Sequence, residues 1–207
     1  MAESMNLPNA LTLVRMFLVP LLVVVLLTEF EGRLVLGLPK EILGAAIFGL
    51  ASATDWLDGH LARRRRQVTA LGQMLDPLAD KLLTSAAFIS LVQLGAAPAW
   101  MVALIIGREI AVTALRSVAS ARGITMPASK LGKFKMASQV AAILMLMVGW
   151  GPLPFFRPLG DVALWVVAVA ALVSAVDYYR RFQQLTSAQV ADITVARERG
   201  AGRRRAG

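Results

Sequence analysis

Asp55-Trp56-Leu57-Asp58-Gly59-His60-Leu61-Ala62-Arg63, then eight residues to Gly72, then Asp76-Pro77-Leu78-Ala79-Asp80, joins two long apolar runs of this chain. Its four aspartates stand at the edge of hydrophobic sequence. An ionised carboxylate costs several kcal/mol there unless it is paired or metal-bound. A solvated helix end does not account for two such pairs in adjacent apolar runs, so the stretch points to chemistry.

Outward from it, the chain has 207 residues, 57% of them hydrophobic, and a mean hydropathy of +0.64. That is more apolar surface than a soluble domain of this size can bury. The expected fold is an all-α integral membrane protein. Apolar runs near the about 20 residues that cross a bilayer lie at 10–28, 41–62, 73–94, 98–120, 132–150 and 160–180, giving six transmembrane helices. Gly32 to Pro39, Gly95 to Pro98, Gly123 to Pro127 and Gly149 to Pro158 divide them. The domain reading is a transmembrane domain over 1–183 and a loose basic tail over 184–207, ending in Arg203, Arg204 and Arg205. Met1 to Asn9 holds no Lys or Arg ahead of the first apolar run, so the first helix is expected to stay rather than to be cleaved as a signal peptide.

There is no cysteine, and His60 is the only histidine. Disulfides and thiolate or histidine zinc centres are excluded, and little room is left for a Ser/His/Asp triad. The net charge of +9 is spread unevenly. Arg63 to Arg66 fill the connection between spans two and three; Arg116, Arg122, Lys130, Lys133 and Lys135 border the one between four and five. Residues 29–41 set Arg33 and Lys40 against Glu29, Glu31 and Glu41, two cations against three acids, net −1. The positive-inside rule puts both termini and both basic loops in the cytoplasm. The basic balance is then explained by anionic membrane lipids, with no nucleic acid.

Thirteen residues, 42–54, separate Glu41 from Asp55, so span two meets its first carboxylates in its cytoplasmic third. Asp76 and Asp80 fall in the first turns of span three, at a similar depth. Positions i and i+3, or i and i+4, share a helix face, so Asp55 with Asp58 and Asp76 with Asp80 each form a two-carboxylate edge. Two antiparallel helices joined by a short basic turn bring the edges together. Four clustered carboxylates repel until protons or cations neutralise them, and oxygen ligands without His or Cys select Mg²⁺, Mn²⁺ or Ca²⁺. A site for two ions suits phosphoryl transfer. Gly59 and Ala62 read either as small-residue helix packing or as bare surface where a ligand approaches, and Arg63 offers a fork of donors to phosphate.

Asp55-x2-Asp58-Gly59-x2-Ala62-Arg63-x8-Gly72-x3-Asp76-x3-Asp80 resembles the complete signature of the CDP-alcohol phosphotransferases, membrane enzymes of phospholipid synthesis. Leu7-Pro8-Asn9-Ala10-Leu11-Thr12-x2-Arg15, Asp76-Pro77-x-Ala79-Asp80-Lys81 and Gly107-Arg108-Glu109-x3-Thr113-x2-Arg116 resemble its phosphatidylglycerophosphate synthase branch. The resemblance covers about residues 6–150 and shows no departure from the signature. It implies a six-helix fold with a cytoplasm-facing polar cavity and two Mg²⁺ or Mn²⁺ ions. Asp55, Asp58 and Asp76 become metal ligands, and Asp80 the general base, also touching a metal. Gly59, Ala62, Arg63 and Gly72, with Asn9 and Thr12, are expected along CDP-diacylglycerol.

The implied reaction is attack by the glycerol 3-phosphate hydroxyl on the β-phosphorus of CDP-diacylglycerol, with release of CMP. The acceptor's phosphate needs further cations, and Arg108, deep in span four, leads, with Arg116, Lys133 and Lys135 nearer the surface. An internal ion pair is the competing reading of Arg108, and a lipid-surface role that of Lys130, Lys133 and Lys135. A homodimer is a further expected assembly. Inositol phosphate or phosphatidylglycerol as acceptor, and a divalent-cation transporter, are the alternatives; no internal repeat supports the last.

Overall fold

The structure, a computed structural model, describes the backbone of residues 7–29, 34–35, 37–65, 70–121 and 130–205, and the side chains of 12–29, 35, 37–54, 78–121 and 136–184. Six α-helices make up nearly all of it: α1 (Leu7–Leu27), α2 (Lys40–Arg65), α3 (Ala70–Gln93), α4 (Ala99–Ala121), α5 (Lys130–Trp150) and α6 (Arg157–Arg205). A hairpin of β1 (Leu34–Val35) and β2 (Leu38–Pro39) precedes α2, and a 3₁₀ turn, Pro154–Phe156, precedes α6.

The breakers act through identifiable geometry. Gly95 has φ of 73°, the left-handed conformation that ends α3. Around it Ala96 N–H donates to Leu91 O at 2.8 Å and Gly95 N–H to Val92 O at 2.9 Å, the paired bonds of a Schellman cap. At the α5–α6 corner the chain turns back so tightly that a Cβ on Gly149 would lie 2.5 Å from Arg157 N, and one on Gly160 3.0 Å from Leu146 N.

One core receives a stripe from every helix: Leu22 and Leu26 of α1, Phe48 of α2, Leu83, Phe88 and Leu91 of α3, Met101 and Ile105 of α4, Ile143 and Leu146 of α5, Leu164 and Val167 of α6. The closest pairings are α5 with α6, α1 with α3, α1 with α2, and α4 with α6. Among the described residues α2 and α3 touch each other only slightly, so α1, packed against both, is their common support. Outward faces are apolar too: Phe17 of α1 is 75% exposed, and Val162, Trp165, Val169 and Leu172 of α6 are all exposed. Such a surface suits hydrocarbon, not water.

Among the described residues Pro154–Gln184 is long and apolar enough to cross a membrane; Thr12–Leu27 and Met136–Trp150 are shorter apolar helices. α4, by contrast, carries three charged residues, Arg108, Glu109 and Arg116. Beyond residue 184, where the sequence suggests a loose basic tail, the backbone continues as helix, and α6 runs 49 residues to Arg205. At 1.5 Å per residue that is about 74 Å, more than twice a hydrocarbon core. The sequence permits it: after Pro158 no proline interrupts α6, and Ala188, Gln189, Ala191 and Ala196 favour helix. Asp177–Arg181 at 3.0 Å and Gln183–Tyr179 at 2.8 Å, both i,i+4 pairs, brace the end of its apolar stretch.

Candidate active site

The aspartate motif occupies two helix ends that flank one short connection. Asp55 and Asp58, then Gly59, Ala62 and Arg63, lie in the last turns of α2 before Arg65; Gly72, Asp76 and Asp80 lie in the first half of α3. Asp55 is ten residues from the end of α2 and Asp80 ten from the start of α3, about 15 Å of rise in each case. Helical backbone through both stretches keeps each pair on one face, as the spacing predicts. The side chains of Asp55, Asp58, Ala62, Arg63 and Asp76 lie outside the described residues, as do those of Asn9, Lys133 and Lys135. Among the described residues no group of three His, Cys, Asp or Glu forms. Asp80 is half-buried, and its backbone carbonyl accepts a hydrogen bond from Thr84 Oγ1 at 3.0 Å.

On α1, Thr12 and Arg15 are both buried, each 2% exposed, three residues apart and hence on one face. α1 packs on both motif helices. The sequence reading singled out Thr12 but gave Arg15 no role. A cation inside an apolar run was the signal that could have found it.

Arg108 of α4 donates from Nη2 to Ser174 Oγ of α6, and its Cζ lies 5.9 Å from the centroid of the Tyr178 ring. Both of these contacts are neutral; the carboxylate of Glu109, the next residue on α4, also acts electrostatically on the guanidinium. The acid beside Tyr178, Asp177, is engaged by Arg181 instead. Arg108 Nε is buried and has no hydrogen-bond partner among the described residues. Ser174 and Tyr178 were not anticipated, although two polar residues four apart in an apolar helix are a readable sign. Arg116 does not join them: it is exposed and eight residues along α4, about 12 Å of rise from Arg108. Lys133 and Lys135 have backbones in the first turns of α5.

A second link crosses from α3 to α4. Lys81 Nζ donates to Thr113 Oγ1, and Thr113 Oγ1 donates to Glu109 O at 2.7 Å. The turn containing Asp80 is thereby tied to the turn that follows Arg108. Two segments 32 residues apart in sequence are thus neighbours in space.

The family described as CDP-alcohol phosphatidyltransferase matches residues 5–176. The CDP-diacylglycerol–glycerol-3-phosphate 3-phosphatidyltransferase of Bacillus subtilis (strain 168) is 45% identical over 182 residues, covering 85% of this chain and 94% of the relative. The protein of the same description from Pseudomonas fluorescens is 35% identical over 182 residues, 85% of this chain and 89% of the relative. A probable phosphatidylglycerophosphate synthase of Mycobacterium tuberculosis (strain H37Rv) is 40% identical over 185 residues, 87% of this chain and 83% of the relative. With the aspartate motif on the two helix ends that flank one short connection and a match over residues 5–176, this protein belongs to the CDP-alcohol phosphatidyltransferase family.

Proposed function

We propose that this chain transfers the phosphatidyl group of CDP-diacylglycerol to glycerol 3-phosphate, giving phosphatidylglycerophosphate and CMP. Support comes from relatives described by that activity in three bacteria. The observation that carries it is the Lys81–Thr113 tie. Through it the helix with the candidate base, Asp80, is bonded to the helix with the candidate acceptor cation, Arg108.

In this reading Asp80 accepts the proton of the acceptor hydroxyl as its oxygen attacks the β-phosphorus. Arg108 holds the acceptor's phosphate, with Arg116, Lys133 and Lys135 adding positive potential. Gly59, Ala62, Arg63 and Gly72, with Asn9 and Thr12, receive the nucleotide and pyrophosphate. The donor set fits a divalent pair, because Asp55, Asp58, Asp76 and Asp80 offer only oxygen, at same-face spacing on two helix ends. Asp55, Asp58 and Asp76 would hold Mg²⁺ or Mn²⁺, which when bound supplies charge neutralisation to the pyrophosphate and the departing CMP.

The membrane arrangement proposed with it has six spans, both termini in the cytoplasm and the site open to that side, with the basic loops against anionic lipid. The test is product analysis with labelled CDP-diacylglycerol and separate acceptors: glycerol 3-phosphate, inositol phosphate and phosphatidylglycerol. Phosphatidylglycerophosphate is expected from the first alone. Product from either other acceptor in preference to it overturns the acceptor assignment.

A further inference from the structure

We propose that Ser174 and Tyr178 are positioning residues that hold the Arg108 guanidinium in one orientation for the acceptor's phosphate; this rests on the acceptor reading above. Both stand on α6, one helical turn apart on the same face, and each is 7% exposed. Ser174 Oγ takes one corner of the guanidinium through Nη2, and the Tyr178 ring lies near Cζ at 5.9 Å. α4 and α6 pack closely, so the two helices present a firm seat.

Three physical points favour this assignment. An arginine side chain is long and rotamer-rich, and ordering it at each binding event costs entropy that a fixed seat removes from the binding step. The two seat groups are themselves uncharged: a hydroxyl and a ring face fix the cation without adding to the electrostatic pull that Glu109 already exerts on it. Finally, Nε is buried with no hydrogen-bond partner among the described residues. A buried donor left open is costly unless a ligand completes it, and a phosphate oxygen is the matching acceptor.

The experiment measures KM for glycerol 3-phosphate, KM for CDP-diacylglycerol and kcat on detergent-purified full-length variants. Ser174→Ala is expected to raise KM for glycerol 3-phosphate about tenfold, as for loss of a hydrogen bond to a charged group. Tyr178→Leu is expected to raise it about fivefold, through the lost ring face. Both leave kcat and the donor KM close to wild type. Ser174→Thr and Tyr178→Phe, which keep the hydroxyl and the ring, stay near wild type. In an Arg108→Ala background neither Ser174→Ala nor Tyr178→Leu should act further, because the group they position is gone.

If Arg108→Ala raises the acceptor KM while Ser174→Ala and Tyr178→Leu do not, the seat is overturned and the acceptor reading stands. If Arg108→Ala itself leaves the acceptor KM unchanged, the acceptor reading falls and takes the seat with it. Equal changes in both KM values, or effects that add to Arg108→Ala, mean a merely structural contact and overturn the proposal. Should Ser174→Ala not elute as a folded species, Tyr178→Leu against Tyr178→Phe decides alone.

Discussion

Lys81 of α3 donates to Thr113 Oγ1 of α4, so the turn that presents Asp80 is tied to the neighbouring helix by a hydrogen bond from the very next residue. Thr113→Val keeps the shape and removes the acceptor. Turnover is expected to fall about fivefold, the effect of about 1 kcal/mol from one lost bond, with Thr113→Ser close to wild type. Steady-state assays of the two variants check this; equal rates would show that the tie does not position Asp80.

Asp80→Asn keeps the volume and an oxygen but cannot accept a proton. kcat is expected to drop by about two to four orders of magnitude, the range for a lost general base. Calorimetric binding of Mg²⁺ or Mn²⁺ to the same variant is expected to change less. If ion binding disappears with turnover, Asp80 is a ligand and not the base.

Asp55→Asn, Asp58→Asn and Asp76→Asn each remove a hard anionic ligand. Each is expected to weaken divalent-ion binding and nearly abolish turnover, and chelation of the wild-type protein to stop turnover until Mg²⁺ or Mn²⁺ is restored. Full activity in chelator would falsify the metal assignment.

Gly149 and Gly107 make a matched pair for stability. A Cβ at Gly149 meets backbone of residues 156 and 157 within 3 Å, whereas one at Gly107 meets nothing within 4 Å. Gly149→Ala is expected to destabilise by about 1–3 kcal/mol through overpacking. Gly107→Ala is expected to be neutral or to stabilise by up to about 1 kcal/mol through helix propensity. Thermal unfolding in detergent distinguishes them, and a lower Tm for Gly107→Ala than for Gly149→Ala is the contrary result.

The positions of the helices were legible because Gly and Pro act locally. The run expected at 73–94 is α3 from Ala70 to Gln93, ended by the cap at Gly95, and that expected at 98–120 is α4 from Ala99 to Ala121. The full length of α6 was not, because loss of hydropathy after residue 180 marks the end of an apolar stretch and not the end of a helix. Helix neighbours were also hidden. α1 supports both α2 and α3, and Ser174 meets Arg108 across 66 residues, by packing that no local period encodes. The motif's spacing put Asp55, Asp58, Asp76 and Asp80 on two helix ends, as found; their mutual distances rest on side chains outside the described residues.

The capped turn at Gly95 acts as a gauge of phase between two helices. From Lys81 to Gln93 is about 18 Å of rise, and from Ala99 to Thr113 about 21 Å, so a hydrogen bond far from the turn depends on how many residues the turn contains. One residue inserted between Leu94 and Pro98 would disrupt the paired cap bonds at Gly95 and shift the start of α4 against α3. Such a shift would strain both the Lys81–Thr113 bond and the contacts of Arg108 with α6. Surface connections commonly absorb insertions with little penalty. This one is constrained in composition as well as in length, since Gly95 holds a left-handed φ and Ala96 and Ala97 are buried.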